Sequence, residues 1–376
     1  MKRLPLVLLV ATAIGVADVQ LSHYHAGQAL AASEGQGNGA RSADELAAFA
    51  GLEPIDAHTH DFRSDPTFYA MMQQLHLHVL DICVADSYNL YRALGPEIAS
   101  ALAFVRGSRG HASLCTTFDP YGFAKPNFSD LAIKQINQDF AQGAVAVKIW
   151  KNIGMEIKTA EGKYVMADDP MFAPIYQDIA ARNKTLIAHL AEPTSCWRPP
   201  DPASPDYDYY KEHPEWYMYL HPDHPSKEMI LEARDRLLAE NPKLRVIGAH
   251  LGSMEVDVDE IAKRFERYPN FAVDMAARME YLMLQQREKV RNFLIKYQER
   301  VLYATDLEFL PNESVADALK EWQETYARDW KFLATDEVLE YQGRKIQGLK
   351  LPQSVLRRIY HDNAVRWIPG ILPAQN

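Results

Sequence analysis

Residues 55–60 read IDAHTH and end the first short apolar run of the ordered-looking part of the chain. Side chains alternate along an extended segment, so His58 and His60, two apart, point to one face. Two imidazoles converging in this way offer a bite for a divalent metal. A lone His-x-His pair arises readily by chance, and its weight depends on the rest of the chain.

Working outward from this stretch, short apolar β-branched runs alternate with amphipathic helical stretches. Strands are expected at 54–57, 78–84, 112–118, 144–149, 185–188, 245–249, 271–274 and 301–304. Helical patterns fall between them, clearest at 130–142, 171–182, 227–240 and 258–268. Strand–helix alternation predicts a parallel sheet, and eight units predict an α/β fold of the (β/α)8 TIM-barrel kind in a single domain. An open doubly wound sheet would want a glycine-rich phosphate loop after the first strand, and none is present. In a barrel the C-terminal strand ends form the mouth, where the chemistry is placed.

Four further runs end in, or carry, a residue suited to that mouth: Lys148 in VAVKIW, His189 in TLIAHL, His250 in RVIGAHLG and Asp306 in VLYATD. Their spacing assigns the set to strands 1, 4, 5, 6 and 8. Each has an ordinary reading alone. A strand-end histidine is commonly a hydrogen-bonded rim residue, an aspartate a helix cap, a lysine a snorkelling or paired cation. Five in this order argue for a site. His76, His78, His111, His213, His221, His224 and His361 lack such placement and read as structural or exposed.

The set IDAHTH, VKIW, IAHL, GAHLG and YATD resembles the amidohydrolase superfamily. More narrowly it resembles the amidohydrolase-related branch, metal-dependent hydrolase and decarboxylase TIM barrels that include aminocarboxymuconate semialdehyde decarboxylase and sugar-acid lactonases. The ending RRIYHDNAVRWIPG is similar to that branch's closing helix, and MADDPMFAPIYQDIAARNKTLIAH to its fourth-to-fifth strand connection. The resemblance covers about residues 51–371. It implies that His58, His60, His189 and Asp306 hold a Zn²⁺ ion and that His250 contacts the reacting water or the substrate oxygen. Lys148 holds the place of a lysine that binuclear members carboxylate. The nearer branch is mostly mononuclear, which favours one zinc per chain and an unmodified Lys148 facing the substrate.

Zinc with an open position lowers the pKa of a water to around 7. Asp306 can take that proton and pass it on, and His250 can stabilise an oxyanion. The leading expectation is a metal-dependent hydrolase of a small lactone, ester, amide or cyclic amide. The rival, a metal-dependent decarboxylase of an aromatic or unsaturated acid, uses the same ligands. A barrel that binds without turnover would not need Asp306 as a proton shuttle. Arg278, after the seventh run, could clamp a substrate carboxylate in a fork or form a surface salt bridge. Lys151 and Glu308 carry the same two readings. The long loop after strand 5, about Pro193–Pro225, is either a lid or a decoration on the barrel side. Its Trp197, Tyr209, Tyr210 and Trp216 either stack on a ring or form the loop's own core. Residues 329–352 give no reading, and a helix at 353–367 is expected to close the barrel.

Of 376 residues, 47% are hydrophobic and 24% charged, the mix of a soluble globular protein. A formal charge of -10 repels nucleic acid and anionic lipid, leaving a small molecule as the expected partner and homo-oligomerisation open. Lys2 and Arg3 precede the apolar run Leu4–Val16, and small residues follow at Gly15-Val16-Ala17 and Ala29-Leu30-Ala31. Residues 1–31 therefore read as a signal peptide and leader, 32–50 as a flexible linker and 51–371 as the barrel, which predicts a periplasmic or secreted protein with no stable membrane span. Cys83, Cys115 and Cys196 are too few for a disulfide framework. Cys83 and Cys115 read as buried thiols, with one disulfide left open. N-terminal sequencing of the native protein should find the chain starting after residue 17 or residue 31. An intact Met1 in the cytoplasm would refute this.

Overall fold

The computed structural model describes residues 45–85 and 94–373. The expected signal peptide and leader lie outside the described residues. Nine strands form one sheet: β1 (Ile55–Asp61), β2 (His78–Ile82), β3 (Ala112–Thr117), β4 (Ala146–Ile149), β5 (Thr185–Ala188), β6 (Arg245–Gly248), β7 (Phe271–Asp274), β8 (Val301–Leu302) and β9 (Leu307–Phe309). The order is β8-β7-β6-β5-β4-β3-β2-β1-β9, with every pairing parallel. The two outermost strands are pieces of one stretch, 301–309. Its bridging residues bond β1: Ala57 N donates to Tyr303 O (3.0 Å) and Asp306 N to His58 O (2.9 Å). The eighth expected strand is thus split by a kink at 303–306, and the sheet curls until its first strand meets its last, as in a TIM barrel.

Burial follows the strand alternation. Val79, Val147, Leu186, Val246, Val273 and Val301 pack outward among the helices. Leu80, Ala146, Ile187, Ile247, Ala272 and Leu302 pack inward with Trp367, Ile368 and Ile371 from the end of the chain. The carbonyls of Trp367 and Ile371 accept from Thr185 and Ser113, near the starts of β5 and β3 (both 2.5 Å). The C-terminal segment therefore plugs the end opposite the mouth. It runs as Gln353–Arg357, a π turn at Arg358–Asp362 and Asn363–Trp367, continuous over the expected closing helix.

Strand β1 breaks the alternation. Its register against β2 shifts between Asp56 and Thr59. Ile55 and Ala57 pack in the interior, and beyond the shift His58 and His60 face it too. A bulge is the usual device for re-aiming a side chain in this way.

One stretch differs from the reading of the sequence, and two that it left open take a definite form. The linker expected over 32–50 gives way to structure by residue 45: residues 45–50 are helical, and Phe49 is buried and stacked on Tyr326 at 4.9 Å. The stretch after β5 carries short helical turns at Thr194–Trp197, Tyr207–Glu212, Pro214–Trp216 and Met218–Leu220. Its aromatics pack on one another, with Tyr210 stacked on Tyr217 at 5.3 Å. Buried polar contacts fasten it to its neighbours. Thr194 N and Lys227 Nζ both bond Glu255 (2.7 and 2.9 Å), and Tyr281 donates to Asp206. Residues 329–352, unread in the sequence, continue the helix Val315–Ala334 and then form a hairpin, β10 (Val338–Tyr341) with β11 (Arg344–Gln347). Its two-residue turn, Gln342 and Gly343, has φ of 48° and 71°, the positive values that match the twist of a tight hairpin. All three cysteines are buried free thiols. No described helix is long and apolar enough to cross a membrane.

On the outer face of β1 and β2, Asp61 and Asp81 are both buried, and Asp61 N donates to Asp81 Oδ1 at 3.0 Å. Burial, with the neighbouring Asp56, pushes the Asp61 carboxyl up to about 8, and burial with Asp61 raises Asp81 well above the carboxylate range. A carboxyl whose folded pKa exceeds its unfolded value holds its proton more tightly when folded, so its contribution to stability is lost as pH rises through the folded pKa. Metal-free protein should therefore lose thermal stability between about pH 4 and pH 8, and Asp61→Asn should flatten that slope. A slope unchanged by the substitution would count against the pair as its source.

Candidate metal centre

The mouth gathers side chains from the ends of six strands. Asp306, with its side chain 10% exposed, is the hub. Its Oδ1 lies 3.1 Å from His58 Nε2 and 3.4 Å from His60 Nε2, and its Oδ2 3.9 Å from His250 Nδ1. His58, His250 and Asp306 each offer a ligand atom within 4.8 Å of the others, the one such trio of metal-binding side chains among the described residues. Asp306 sits in the kink between β8 and β9 with φ of +70°, a left-handed backbone that costs a non-glycine residue on the order of 1–3 kcal/mol. His250 and Leu251 are left-handed as well, at 59° and 57°. Strain of this kind persists only where surrounding bonds over-determine it.

Hydrogen bonds fix which nitrogen of each ring is free. His60 Nδ1 lies 2.7 Å from Ile82 O and His250 Nδ1 2.9 Å from Ala276 O, so each carries its proton there and leaves Nε2 a lone pair. His58 Nδ1 faces the Asp274 carboxylate at 3.1 Å, and its Nε2 accepts from Lys148 Nζ at 2.5 Å. Burial first, then the nearby charges of Lys148 and Arg278, holds His58 and His250 well below the usual histidine range. Burial opposes ionisation of Asp306, but His250, His58 and His60 outweigh it and hold the carboxyl well below its usual range. Imidazole nitrogens thus converge on an ionised carboxylate. That donor set suits a divalent cation.

His189 stands one ring further round. Its ring centroid is 4.2 Å from that of His250 in an edge-on contact, and Glu192 Oε1 is 3.9 Å from its Nε2. Both ring nitrogens are buried without a hydrogen-bond partner. A buried imidazole lacking partners on both sides is the orphan a metal would satisfy. The tightest trio therefore contains His250, with His60 and His189 beside it, whereas the sequence reading grouped His58, His60, His189 and Asp306 and set His250 apart.

Lys148 is fully buried, 4.0 Å over the Trp150 ring, and burial lowers its pKa to about 8 against the pull of Asp306 and Asp274. Arg278 is 1% exposed, which removes the surface salt bridge as its explanation. Its charge is felt by His58, His189 and His250. Lys151 is committed elsewhere. It is buried against Glu192 and donates to Tyr209 OH at 2.9 Å, with the Trp216 ring 4.5 Å away. Tyr209 and Trp216 thus join the insertion to the ends of β4 and β5. Glu308 lines a cleft that opens on Asp306, with Glu280, Arg328 and Asp329.

Asp274 escaped the reading of the sequence. It ends β7, fully buried, and does three jobs at once. Its Oδ2 meets His58 Nδ1, and its Oδ1 accepts from His250 N (2.8 Å) and Ala276 N (3.1 Å). A carboxylate behind a ligating imidazole fixes its tautomer and raises its basicity. The signal was present: FAVD ends in an acid just as YATD does.

A family model described as Amidohydrolase matches residues 55–369. No curated protein matches the chain. Among solved structures, one described as an amidohydrolase II is 15% identical, with 84% of this chain and 99% of that chain covered, at a TM-score of 0.50. A 5-carboxyvanillate decarboxylase from Sphingomonas paucimobilis is 14% identical, with 84% and 99% covered, at 0.47. A dihydroxybenzoic acid decarboxylase from a Polaromonas species, solved with manganese and 2-nitroresorcinol, is 12% identical, with 84% and 96% covered, at 0.49. Identity this low speaks to fold alone. The family match spans most of the chain and both ends of the barrel, and the chain belongs to the amidohydrolase family.

Proposed function

We propose that the chain is a metal-dependent hydrolase, acting outside the cytoplasm on a small lactone, ester, amide or cyclic amide, with one zinc per chain and an unmodified Lys148. The observation that carries this reading is Asp306, an ionised carboxylate set among imidazoles at the barrel mouth. His58, His60, His189 and Asp306, with His250 beside them, would hold the metal. When bound, it supplies Lewis acidity and brings the pKa of a water near 7. Asp306 accepts the proton of the attacking water and returns it to the leaving group. His250, with its Nδ1 proton donated to Ala276 O, turns an unprotonated Nε2 to the mouth, where it can accept a hydrogen bond from the reacting water. Asp274 keeps His58 in the tautomer that leaves Nε2 unprotonated.

A second reading is decarboxylation of an aromatic or unsaturated acid. The buried cations Lys148 and Arg278, whose charges reach the histidines, favour a carboxylate at the mouth. Two of the structures cited above are decarboxylases by name.

Protein loaded with Zn²⁺ should release carboxylate or alcohol from a panel of lactones, esters and amides. Carbon dioxide from aromatic acids, with no hydrolysis, would transfer the site to the second reading. Asp306→Asn should lower turnover by roughly 10²-fold or more at matched metal occupancy. Unchanged turnover at full occupancy would remove Asp306 as the proton carrier. His58→Ala should lower the metal content of the purified protein sharply, because each ligand is one of few. Two zinc ions per chain, with extra mass on Lys148, would replace the mononuclear assignment by a bridged one.

A further inference from the structure

Asp56 lies two residues before the first histidine of the site, on the outer face of β1, and is fully buried. Its Oδ1 accepts from Thr305 N (3.0 Å) and His58 N (3.3 Å). Its Oδ2 accepts from Thr305 Oγ1 (2.6 Å) and Tyr326 OH (3.1 Å). Thr305 Oγ1 in turn accepts from Leu307 N at 3.2 Å. The residues on both sides of Asp306 are therefore tied, directly or through one hydroxyl, to a single carboxylate. Asp306 N itself donates to His58 O at 2.9 Å. The left-handed backbone of Asp306 would relax if the flanking residues were free to turn, and relaxation would swing its carboxylate away from His58 and His60.

We infer that Asp56 is a positioning residue that holds Asp306 on the metal side of the mouth and so sets the affinity of the site for its cation. The inference rests on the reading of Asp306 as a ligand. A carboxylate suits the task because it accepts from four donors at once. Asparagine has the same shape but only one acceptor oxygen. Its amide nitrogen would meet Thr305 Oγ1 and Tyr326 OH, both of which now donate. Tyr326 brings in the helix Val315–Ala334, so the carboxylate joins β1, the β8–β9 kink and the last long helix.

The test is the Zn²⁺ dissociation constant, read by competition with a chromophoric chelator, on Asp56→Asn, Asp306→Asn and the double variant. Asp56→Asn should weaken zinc binding by about tenfold, the range typical of partners that orient a metal site. In the Asp306→Asn background the same change should weaken it no further, because its effect passes through Asp306. Wild-type affinity in Asp56→Asn would overturn the assignment. So would an equal loss in both backgrounds, the mark of a general structural role. Should Asp56→Asn fail to fold, Thr305→Val removes one of the four donors and carries the same comparison. Tight zinc binding by a wild-type protein that hydrolyses nothing would defeat the hydrolase reading while leaving the affinity cycle to decide on Asp56.

Discussion

Closure of the sheet and assembly of the site depend on the same few hydrogen bonds. Residues 303–306 carry the chain from β8, which pairs with β7, to β9, which pairs with β1. The bonds from Ala57 N to Tyr303 O and from Asp306 N to His58 O span that gap. A regular strand would have carried its side chains alternately in and out. The kink instead interrupts the pairing to present Asp306 to the interior. The bulge in β1 does the matching work for His58 and His60. Two departures from regular strand geometry, facing each other across the seam, thus create the place where imidazoles and a carboxylate meet. Irregularity concentrates at a site when the rest of the fold holds it there.

The surroundings of that seam are charged and buried. Lys148 and Arg278 are buried cations close to the histidines, while Asp274 and Asp306 are the acids that face them. In such surroundings each charge acts more strongly than in water. Neighbouring buried pairs, Lys151 with Glu192 and Lys227 with Glu255, fasten the insertion after β5. Buried pairs add little net stability, because desolvation offsets attraction, but losing one partner is costly. Their contribution here is geometric: they hold the insertion's aromatics against Lys151 and keep the wall of the mouth in one arrangement.

The barrel was legible because alternating apolar runs and helical periods survive in any sequence that must bury both faces of a parallel sheet. Strands 185–188 and 271–274 and the helix 227–240 fall where their patterns put them. The kink at 303–306 was not legible, because VLYATD reads as one extended run and a left-handed Asp306 follows from bonds to β1 made 249 positions earlier in the chain. The histidines and Asp306 announced themselves by ending apolar runs. Asp274 ends one in the same manner, but its role is set by His58 and His250, which come from other strands. The grouping of His250 with His58 and Asp306 was beyond pattern reading too, because it depends on a left-handed turn at 250–251 that nothing in GAHLG requires. The insertion was recognised by its length and aromatic content, but its anchoring to Glu255 and Tyr281 is a matter of tertiary contact alone.

The plug formed by Trp367, Ile368 and Ile371 has a consequence for how the molecule is made. These residues complete the interior that Leu80, Ala146, Ile187 and Ile247 begin, and β9 supplies the second neighbour of β1. A chain emerging from the ribosome with its N-terminus first exposes one unpaired edge of β1 until β9 has appeared, and an unfilled barrel floor until residues 367–371 have followed. Pairings of such long sequence separation form slowly, and an open strand edge invites association with other chains. The nascent protein therefore passes through an incomplete sheet with an open edge, and His58, His250 and Asp306 come together only once residue 306 has appeared.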